Sequence, residues 1–188
     1  MFGHVRESLL KYLAKNMREV IFDKTSSVLV LDTLEPDGEF IGFVLKALTI
    51  FCVALGPSCP FPRALTKKEM RPCFKAIAGI VEDEFSPDRE TPHIVKTGCA
   101  RFVFRKLLQL ESKQEGVKLS DYLAELPVEQ LSSFTSINSG CFALLEMLKS
   151  GSAKATDALR ELNVNELKRS ELVGAKALYQ ELSAAGRG

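Results

Sequence analysis

The 188-residue sequence predicts an all-α protein, and two observations support this fold class. Apolar residues recur at intervals of three and four, without the sustained alternation of apolar and polar residues that indicates a strand. Four short segments also share one pattern, in which a small residue precedes variable residues, a run of aliphatic residues and a leucine. Together these features favour an α-helical solenoid, in which short helix pairs stack on one another.

The first half of the chain is predicted to contain four helices. Residues 5–21 carry an apolar stripe over about four turns, with basic side chains on the opposite side. Preceding serine and threonine residues offer N-caps for a short helix over 28–34. An apolar run predicts a third helix at 40–55, and a capping box opens a fourth that runs from 66 to about 85. Pro72 falls beyond the first turn of this fourth helix and is expected to kink or delay it.

The second half is predicted to complete a set of about ten short helices without a sheet. Its helices are expected at 98–110, at 119–126, after Pro127, at 139–149, at 153–162 and at 173–184. The acidic, proline-containing segment 86–92 is predicted to be a surface loop or a hinge. The chain is interpreted as one domain, within which residues 1–85 and 92–188 could form sub-units joined by this acidic loop.

The four similar segments define an internal repeat at residues 26–34, 100–108, 140–148 and 174–182. Their starts are separated by 74, 40 and 34 residues. The separation of 74 residues could span two repeat units, if a degenerate unit lies between the first two similar segments. The period is then that of an α-solenoid of helix pairs. The small residue at each start is expected to let its helix pack closely on the neighbouring helix. The last helix is expected to be a cap with a polar outer face.

Composition excludes several classes of protein. With 25 basic and 24 acidic side chains, the net charge of +1 gives no global field, so an anionic partner would be met by a local patch. Five cysteines, an odd count without tight pairing, predict buried thiols in a reducing compartment and no zinc site. The longest apolar run, 40–55, contains Lys46 and is shorter than the roughly 20 residues of a bilayer span. The sequence therefore predicts neither a metal nor a membrane.

Catalytic constellations are also absent from the sequence. His93 and Cys99 are close enough in sequence to suggest a nucleophile and its base, but no orienting third group or oxyanion loop is identifiable. The glycines do not form a phosphate-binding loop. We therefore expect no enzyme activity, no cofactor and no small-molecule substrate.

Charge is concentrated locally in three places. Residues 63–75 hold five cations and one acid, and residues 96–106 hold four cations and no acid, whereas residues 82–90 hold five acids and one cation. Basic clusters on a shared face would bind phosphates in a salt-dependent, sequence-independent way, although a charge run is more often a solvated helix face. The candidate nucleic-acid-binding residues are Lys67, Lys68, Arg71, Lys96, Arg101, Arg105 and Lys106.

A family resemblance is carried by specific segments. Residues Asp23-Lys24-Thr25-Ser26-Ser27-Val28-Leu29-Val30-Leu31 resemble the second helix of a Pumilio repeat. Together with Leu9-Leu10-Lys11-Tyr12-Leu13, Glu19-Val20-Ile21-Phe22 and Thr135-Ser136-Ile137-Asn138-Ser139-Gly140, they resemble the C-terminal region of the Puf-A/penguin family of Pumilio-like nucleolar proteins. Family members are much longer, so the chain is expected to be a C-terminal Pumilio-like repeat domain of such a protein.

The resemblance implies a Pumilio-like α-helical repeat solenoid of right-handed stacked helix pairs with a degenerate middle repeat. It also implies residence in the nucleus and nucleolus, and sequence-nonspecific binding of RNA and DNA linked to ribosome biogenesis and pre-rRNA processing.

The resemblance also identifies the positions at which Pumilio repeats read bases. The matching triplets are Ser27, Val28, Leu31; Arg101, Phe102, Arg105; Cys141, Phe142, Leu145; and Ala175, Lys176, Tyr179. None ends in Gln or Glu, so a code of one base per repeat is not expected. Phe102 and Phe142 could stack on bases, although a Phe at helical spacing is more typical of a core.

An alternative function is a protein-interaction scaffold. In that case an aliphatic concave surface and the acidic loop would dock onto a ribosome-assembly partner, and the basic side chains would only solvate the domain. This hypothesis is favoured if one apolar surface is formed by Val28, Leu31, Phe102, Cys141, Phe142, Leu145 and Tyr179.

Overall fold

A computed structural model describes residues 2–34, 67–88, 90–112 and 117–185. Within these ranges every regular element is a helix and there is no strand, as predicted. Its elements are α1 (Phe2–Phe22), α2 (Ser27–Leu34), α3 (Lys67–Val81), α4 (Gly98–Glu111), α5 (Leu119–Leu123), α6 (Val128–Ser133), a 3-10 turn (Phe134–Ser136), α7 (Asn138–Lys149), α8 (Ala153–Arg160), α9 (Val164–Arg169) and α10 (Val173–Ala185). The helix predicted at 40–55 lies outside the described residues.

The helices form two rows. Helices α2, α4, α7 and α10 pack in that order, each against the next, and they are the four members of the predicted repeat. Helices α1, α3, α5 and α8 form a second row in the same manner. The predicted Pumilio-like helical solenoid is confirmed. Because α2 packs directly against α4, the 74-residue separation is one step along the row, and no described helix lies between these two.

One contiguous apolar core runs between the rows. The stripe predicted on α1 is buried at Leu13 and Ile21, and it meets Ile77 of α3 and Phe104 of α4 in the same cluster. Burial of each such side chain stabilises the fold by about 1.5–3 kcal/mol relative to exposure, so the apolar stripe is what fixes each helix in its row.

A small residue allows α10 to approach α7 closely, as predicted, and another allows α7 to lie close to the 3-10 turn that precedes it. A Cβ atom added at Gly140 would lie 2.2 Å from the backbone oxygen of Phe134. A Cβ atom at Gly174 would lie 2.8 Å from the backbone oxygen of Asn138 and 2.8 Å from Cβ of Cys141. The Gly174 amide also donates to Oδ1 of Asn138 over 2.7 Å, which joins the start of α10 to the start of α7.

Several boundaries differ from the prediction. The helix expected to reach 85 ends at Val81, and it continues through Pro72 without a break. Helix α9 occupies a region where only a turn was predicted. Oδ1 of Asn163 caps it by accepting the amides of Asn165 and Glu166 over 3.2 and 3.4 Å. The outer face of α10 carries the expected polar Lys176 and Gln180, both exposed.

A buried carboxyl group joins α4 to α5. Glu111, 1% exposed, accepts hydrogen bonds from the Leu119 amide and from the amide and hydroxyl of Ser120. Burial raises the pKa of Glu111 from 4.5 to about 7, and these hydrogen bonds oppose the shift.

We predict that Gly174→Ala lowers the free energy of unfolding by about 1–3 kcal/mol, because its Cβ has no room against α7. Gly79→Ala is the matched control, since a Cβ at that exposed helical site meets nothing within 4 Å. This control should stabilise the protein by about 0.5–1 kcal/mol, because alanine favours helix. Urea unfolding of both variants measures the difference, and equal effects would contradict the close packing of α10 on α7.

We also predict a pH dependence from Glu111. A raised pKa means that the folded protein keeps this proton when the unfolded chain has released it. The contribution of protonated Glu111 to the free energy of unfolding is therefore complete below about pH 4.5, and it is lost as the pH rises towards 7. Unfolding of the wild type and Glu111→Gln should be compared across this window. The glutamine variant should lose less stability with rising pH. If the free energies of unfolding of the two proteins change in parallel with pH, Glu111 does not cause the pH dependence.

Candidate nucleic-acid interface

An open groove of about 830 Å³ runs across three members of the helix row, α2, α4 and α7. Its walls are formed by Lys24, Ser27, Val28, Leu31, Gly98, Cys99, Arg101, Phe102, Val103, Arg105, Asn138, Ser139 and Phe142. Helices α2 and α4 contribute matching positions, 27, 28 and 31 beside 101, 102 and 105, and Lys24 in the turn before α2 matches Gly98 at the start of α4. The spacing of three and four residues places the helical positions on one face of each helix.

The groove is positively charged although the whole chain is nearly neutral. Lys24 and Arg101 are exposed, and neither side chain has an ion-pair partner within the described part of the chain. None of the lining residues that the structure describes is Asp or Glu. The two cations are therefore available to an anionic ligand.

Phe102 is an exposed aromatic side chain in the groove. It is 65% exposed, whereas Val103 and Phe104 of the same helix are buried. The interpretation of Phe102 as a core residue is therefore wrong, because α4 turns its other face to the core. Val28 of α2, 46% exposed, also lies in the groove wall.

Arg105 is held in a defined position at the groove. Its Nε and Nη2 atoms donate to Oε1 of Glu146 over 3.2 and 3.0 Å, and Nε2 of Gln109 donates to the same oxygen over 2.8 Å. The guanidinium carbon lies 4.5 Å from the centre of the Phe142 ring, a cation–π contact. Arg105 is therefore oriented by two helices, and its charge is balanced by a carboxylate.

Among the predicted cations whose side chains the structure describes, Arg101 and Arg105 line the groove. Lys106 is exposed on α4 but does not line the groove, and Lys96 donates from Nζ to the backbone oxygen of Pro87 over 2.8 Å. The other three lie on α3, in the second row of helices: Lys67, Lys68 and the exposed Arg71. Arg71 of the first basic cluster therefore does not lie in the groove with Arg101 and Arg105 of the second.

The predicted base-facing triplets of α2 and α4 line the groove, whereas those of α7 and α10 do so only in part or not at all. All members of the first two triplets line it. In α7, Phe142 does so, but Cys141 and Leu145 are buried. In α10, Ala175 is buried and Tyr179 half-buried, and neither lines the groove. Because α10 packs on α7 at Gly174, it covers the α7 face that holds Cys141.

Three polar residues of the groove were missed by the sequence interpretation. Lys24 lies in the turn before α2, where helical spacing does not apply, whereas Asn138 lies four residues before Phe142 on α7, so its spacing could have identified it. The third, Ser139, donates from Oγ to the backbone oxygen of Val95 over 2.7 Å.

The histidine and cysteine considered for catalysis are each engaged in packing. His93 is buried against Phe85 and Phe134, with ring centres 5.0 and 5.6 Å away, and burial lowers its pKa. The Cys99 thiol donates to the backbone oxygen of Phe22 over 3.1 Å. Among the described residues, no cluster of three His, Cys, Asp or Glu side chains could hold a metal, and no helix is long and apolar enough to cross a bilayer.

The two rows of short helices define the chain as a Pumilio-like helical repeat protein. Residues 1–118 match the model of the CPL (NUC119) domain, and the chain belongs to this family. It is also 28% identical over 163 residues to a Caenorhabditis elegans protein called Pumilio domain-containing protein 12. That match covers 85% of this chain and 19% of the relative, so the chain spans about a fifth of the relative's length.

Solved structures show the same fold. The crystal structure of human Puf-A is similar with a TM-score of 0.67 and 23% identity, covering 95% of this chain and 30% of that one. The crystal structure of human Puf-A in complex with DNA gives a TM-score of 0.65 and 22% identity over 94% of this chain and 29% of that one. The resemblance to the Puf-A family is thereby confirmed.

We predict that Phe102→Ala changes the free energy of unfolding by less than about 0.5 kcal/mol, because an exposed side chain contributes little to stability. Phe104→Ala, two positions along and 2% exposed, should cost about 3–5 kcal/mol. Urea unfolding tests both variants. A cost above about 2 kcal/mol for Phe102→Ala would show that Phe102 belongs to the core.

Proposed function

We propose that this domain binds nucleic acid without general sequence specificity, as part of a larger nucleolar protein that acts in ribosome biogenesis and pre-rRNA processing. Its ligands are RNA and DNA, held mainly through the phosphate backbone. The observation that carries the proposal is the groove itself, in which Lys24 and Arg101 flank the exposed Phe102. Within the described residues these two cations have no ion-pair partner and the groove lining has no carboxylate.

The groove offers separate surfaces to the two parts of a nucleic acid. Lys24 and Arg101 contribute charge to phosphates, a contact that carries no sequence information. Phe102 offers an exposed ring on which an unpaired base can stack, and stacking tolerates every base. Val28 and Leu31 on α2 have aliphatic side chains that cannot form hydrogen bonds. These two positions therefore cannot distinguish one base edge from another.

The likeness to human Puf-A, which has been crystallised with DNA, supports this function. The nucleolar and ribosomal part of the proposal rests on the resemblance to the Puf-A family. Because the chain spans only 19% of its C. elegans relative, we propose that further phosphate contacts come from other parts of the longer protein. Binding by this domain alone is then weak, and its salt dependence reflects a small number of phosphates.

The scaffold alternative is less favoured by the groove. Val28, Leu31, Phe102 and Phe142 do line it, but Cys141 and Leu145 are buried, so the apolar surface is smaller than that hypothesis requires. Two unpaired cations among these apolar residues suit a polyanion better than an apolar peptide.

We predict that Arg101→Glu weakens binding to single-stranded RNA by about 10-fold or more, because it replaces a phosphate contact by a repelling charge. The measurement is fluorescence anisotropy with labelled RNA and DNA of several unrelated sequences at about 50 and 200 mM salt. The wild type should bind all sequences with similar affinity, and more weakly at the higher salt concentration.

Two charge reversals serve as controls. Lys106 lies on α4 like Arg101 but outside the groove, so Lys106→Glu should change the affinity by less than about threefold. Arg71→Glu tests the predicted basic cluster on α3. If Arg71→Glu weakens binding and Arg101→Glu does not, the interface lies on the second row of helices. Absence of binding at low salt would overturn the nucleic-acid function of this domain and favour a protein partner.

A further inference from the structure

We propose that Asn138 donates a fixed, uncharged hydrogen bond to a phosphate of the bound nucleic acid, at the opposite end of one groove edge from Lys24. This inference rests on the proposed function and extends it by one backbone contact, which carries no sequence information. Hydrogen bonds between the helix starts and the orientation of the Asn138 carboxamide carry it.

The starts of the helices that line the groove lie side by side. Sγ of Cys99, at the start of α4, donates to the backbone oxygen of Phe22, two residues before Lys24. Oγ of Ser139, at the start of α7, donates to the backbone oxygen of Val95, in the turn that precedes α4. These contacts place the starts of α2, α4 and α7 along one edge of the groove, the N-terminal edge.

Three lining residues form this N-terminal edge: Lys24, Gly98 and Asn138. Each lies three residues before the first member of its triplet, so the three hold the same register. Packed helices are about 8–10 Å apart, so Lys24 and Asn138 are separated by about 16–20 Å and meet different phosphates. Gly98, between them, is exposed, and a Cβ atom there would meet nothing within 4 Å. The edge is therefore open to a strand that runs from one polar side chain to the other.

The Asn138 carboxamide is fixed in one orientation. Its Oδ1 atom accepts the Gly174 amide over 2.7 Å. Because a backbone N–H only donates, the carboxamide oxygen and not its amino group must face Gly174. The Gly174 amide is among the first four of α10, which have no acceptor within their own helix, and Asn138 supplies one. Helix α10 therefore orients this side chain although α10 does not line the groove.

Two N–H donors of Asn138 remain for a ligand. Both are on the amino nitrogen Nδ2, and neither has an acceptor within the described part of the chain. The residue is exposed and lines the groove. A donor whose orientation is already fixed loses less conformational entropy when a ligand binds.

A phosphate fits these donors better than a base edge does. Asparagine reads adenine through one donor and one acceptor together, but the acceptor of Asn138 is engaged by Gly174. A phosphate oxygen needs only the donor, and asparagine is among the side chains that contact phosphates. Because the side chain is uncharged, this contact releases no counterion. It therefore adds affinity that does not depend on salt.

The test compares Asn138→Ala and Lys24→Ala in the full chain by fluorescence anisotropy, with oligouridine of about 10 nucleotides at salt concentrations from about 50 to 200 mM. Asn138→Ala should weaken binding about fivefold or more at every salt concentration, without changing the slope of log affinity against log salt. Lys24→Ala should weaken binding and also reduce the slope by about 0.7. Ser139→Ala is the matched control, since its hydroxyl hydrogen is engaged by Val95, and it should change the affinity by less than about twofold.

Asn138→Asp keeps the test decisive if Asn138→Ala does not fold. Aspartate retains an oxygen that can accept the Gly174 amide, but it replaces both donors by a negative charge. This variant should be as stable as the wild type in thermal unfolding, and it should bind about 10-fold or more weakly at about 50 mM salt. Thermal unfolding of every variant shows that it is folded before its binding is interpreted.

The outcomes separate this inference from the proposed function. If either folded Asn138 variant binds within about twofold of the wild type while Arg101→Glu still weakens binding, the inference is overturned and the function stands. A loss confined to oligoadenosine, measured beside oligouridine, would make Asn138 a base contact and also overturn it. A reduced salt slope in folded Asn138→Ala would do the same, because it would show that the substitution displaces a cation. No binding of the wild type to any oligomer at low salt would overturn both.

Discussion

The packing of α2, α4 and α7 side by side in one row is the constraint on which the groove depends. Because α2 packs on α4 and α4 packs on α7, side chains three and four residues apart on one helix lie beside those of the next helix. The same row continues to α10 through a close contact, since Gly174 leaves no space for a Cβ atom against α7. The described lining of the groove therefore comes from this row of helices and from the turn that precedes α2.

Pairing of charges decides which cations are available on a nearly neutral protein. Several surface cations have a carboxylate partner, for example Lys11 with Glu7 at 2.7 Å and Arg18 with Asp83 at 2.6 Å. In the groove, Arg105 is also paired, but Lys24 and Arg101 have no such partner in the described residues. A net charge of +1 is therefore compatible with a locally positive surface.

The different surroundings of Arg101 and Arg105 follow from a single long-range contact. The two residues have the same side chain and lie about one turn apart on α4, so local sequence treats them as equivalent. Glu146, 41 residues further along the chain, reaches only Arg105. Its carboxylate, partly removed from water, turns one arginine from a free charge into a fixed set of hydrogen-bond donors.

The helical fold class, the four repeated helices and the close contact at Gly174 could be predicted from the residues, because they follow from short-range periodicity and from the small residue that opens each repeat. The family resemblance, and not periodicity, identified the first two triplets, which do line the groove. Tertiary structure decided that α2 lies directly beside α4, that the cations of α3 belong to the other row and that Cys141 and Leu145 are covered. It also decided that Phe102 faces the groove. Such features depend on which helix packs on which face, and the apolar pattern of one helix does not contain that information.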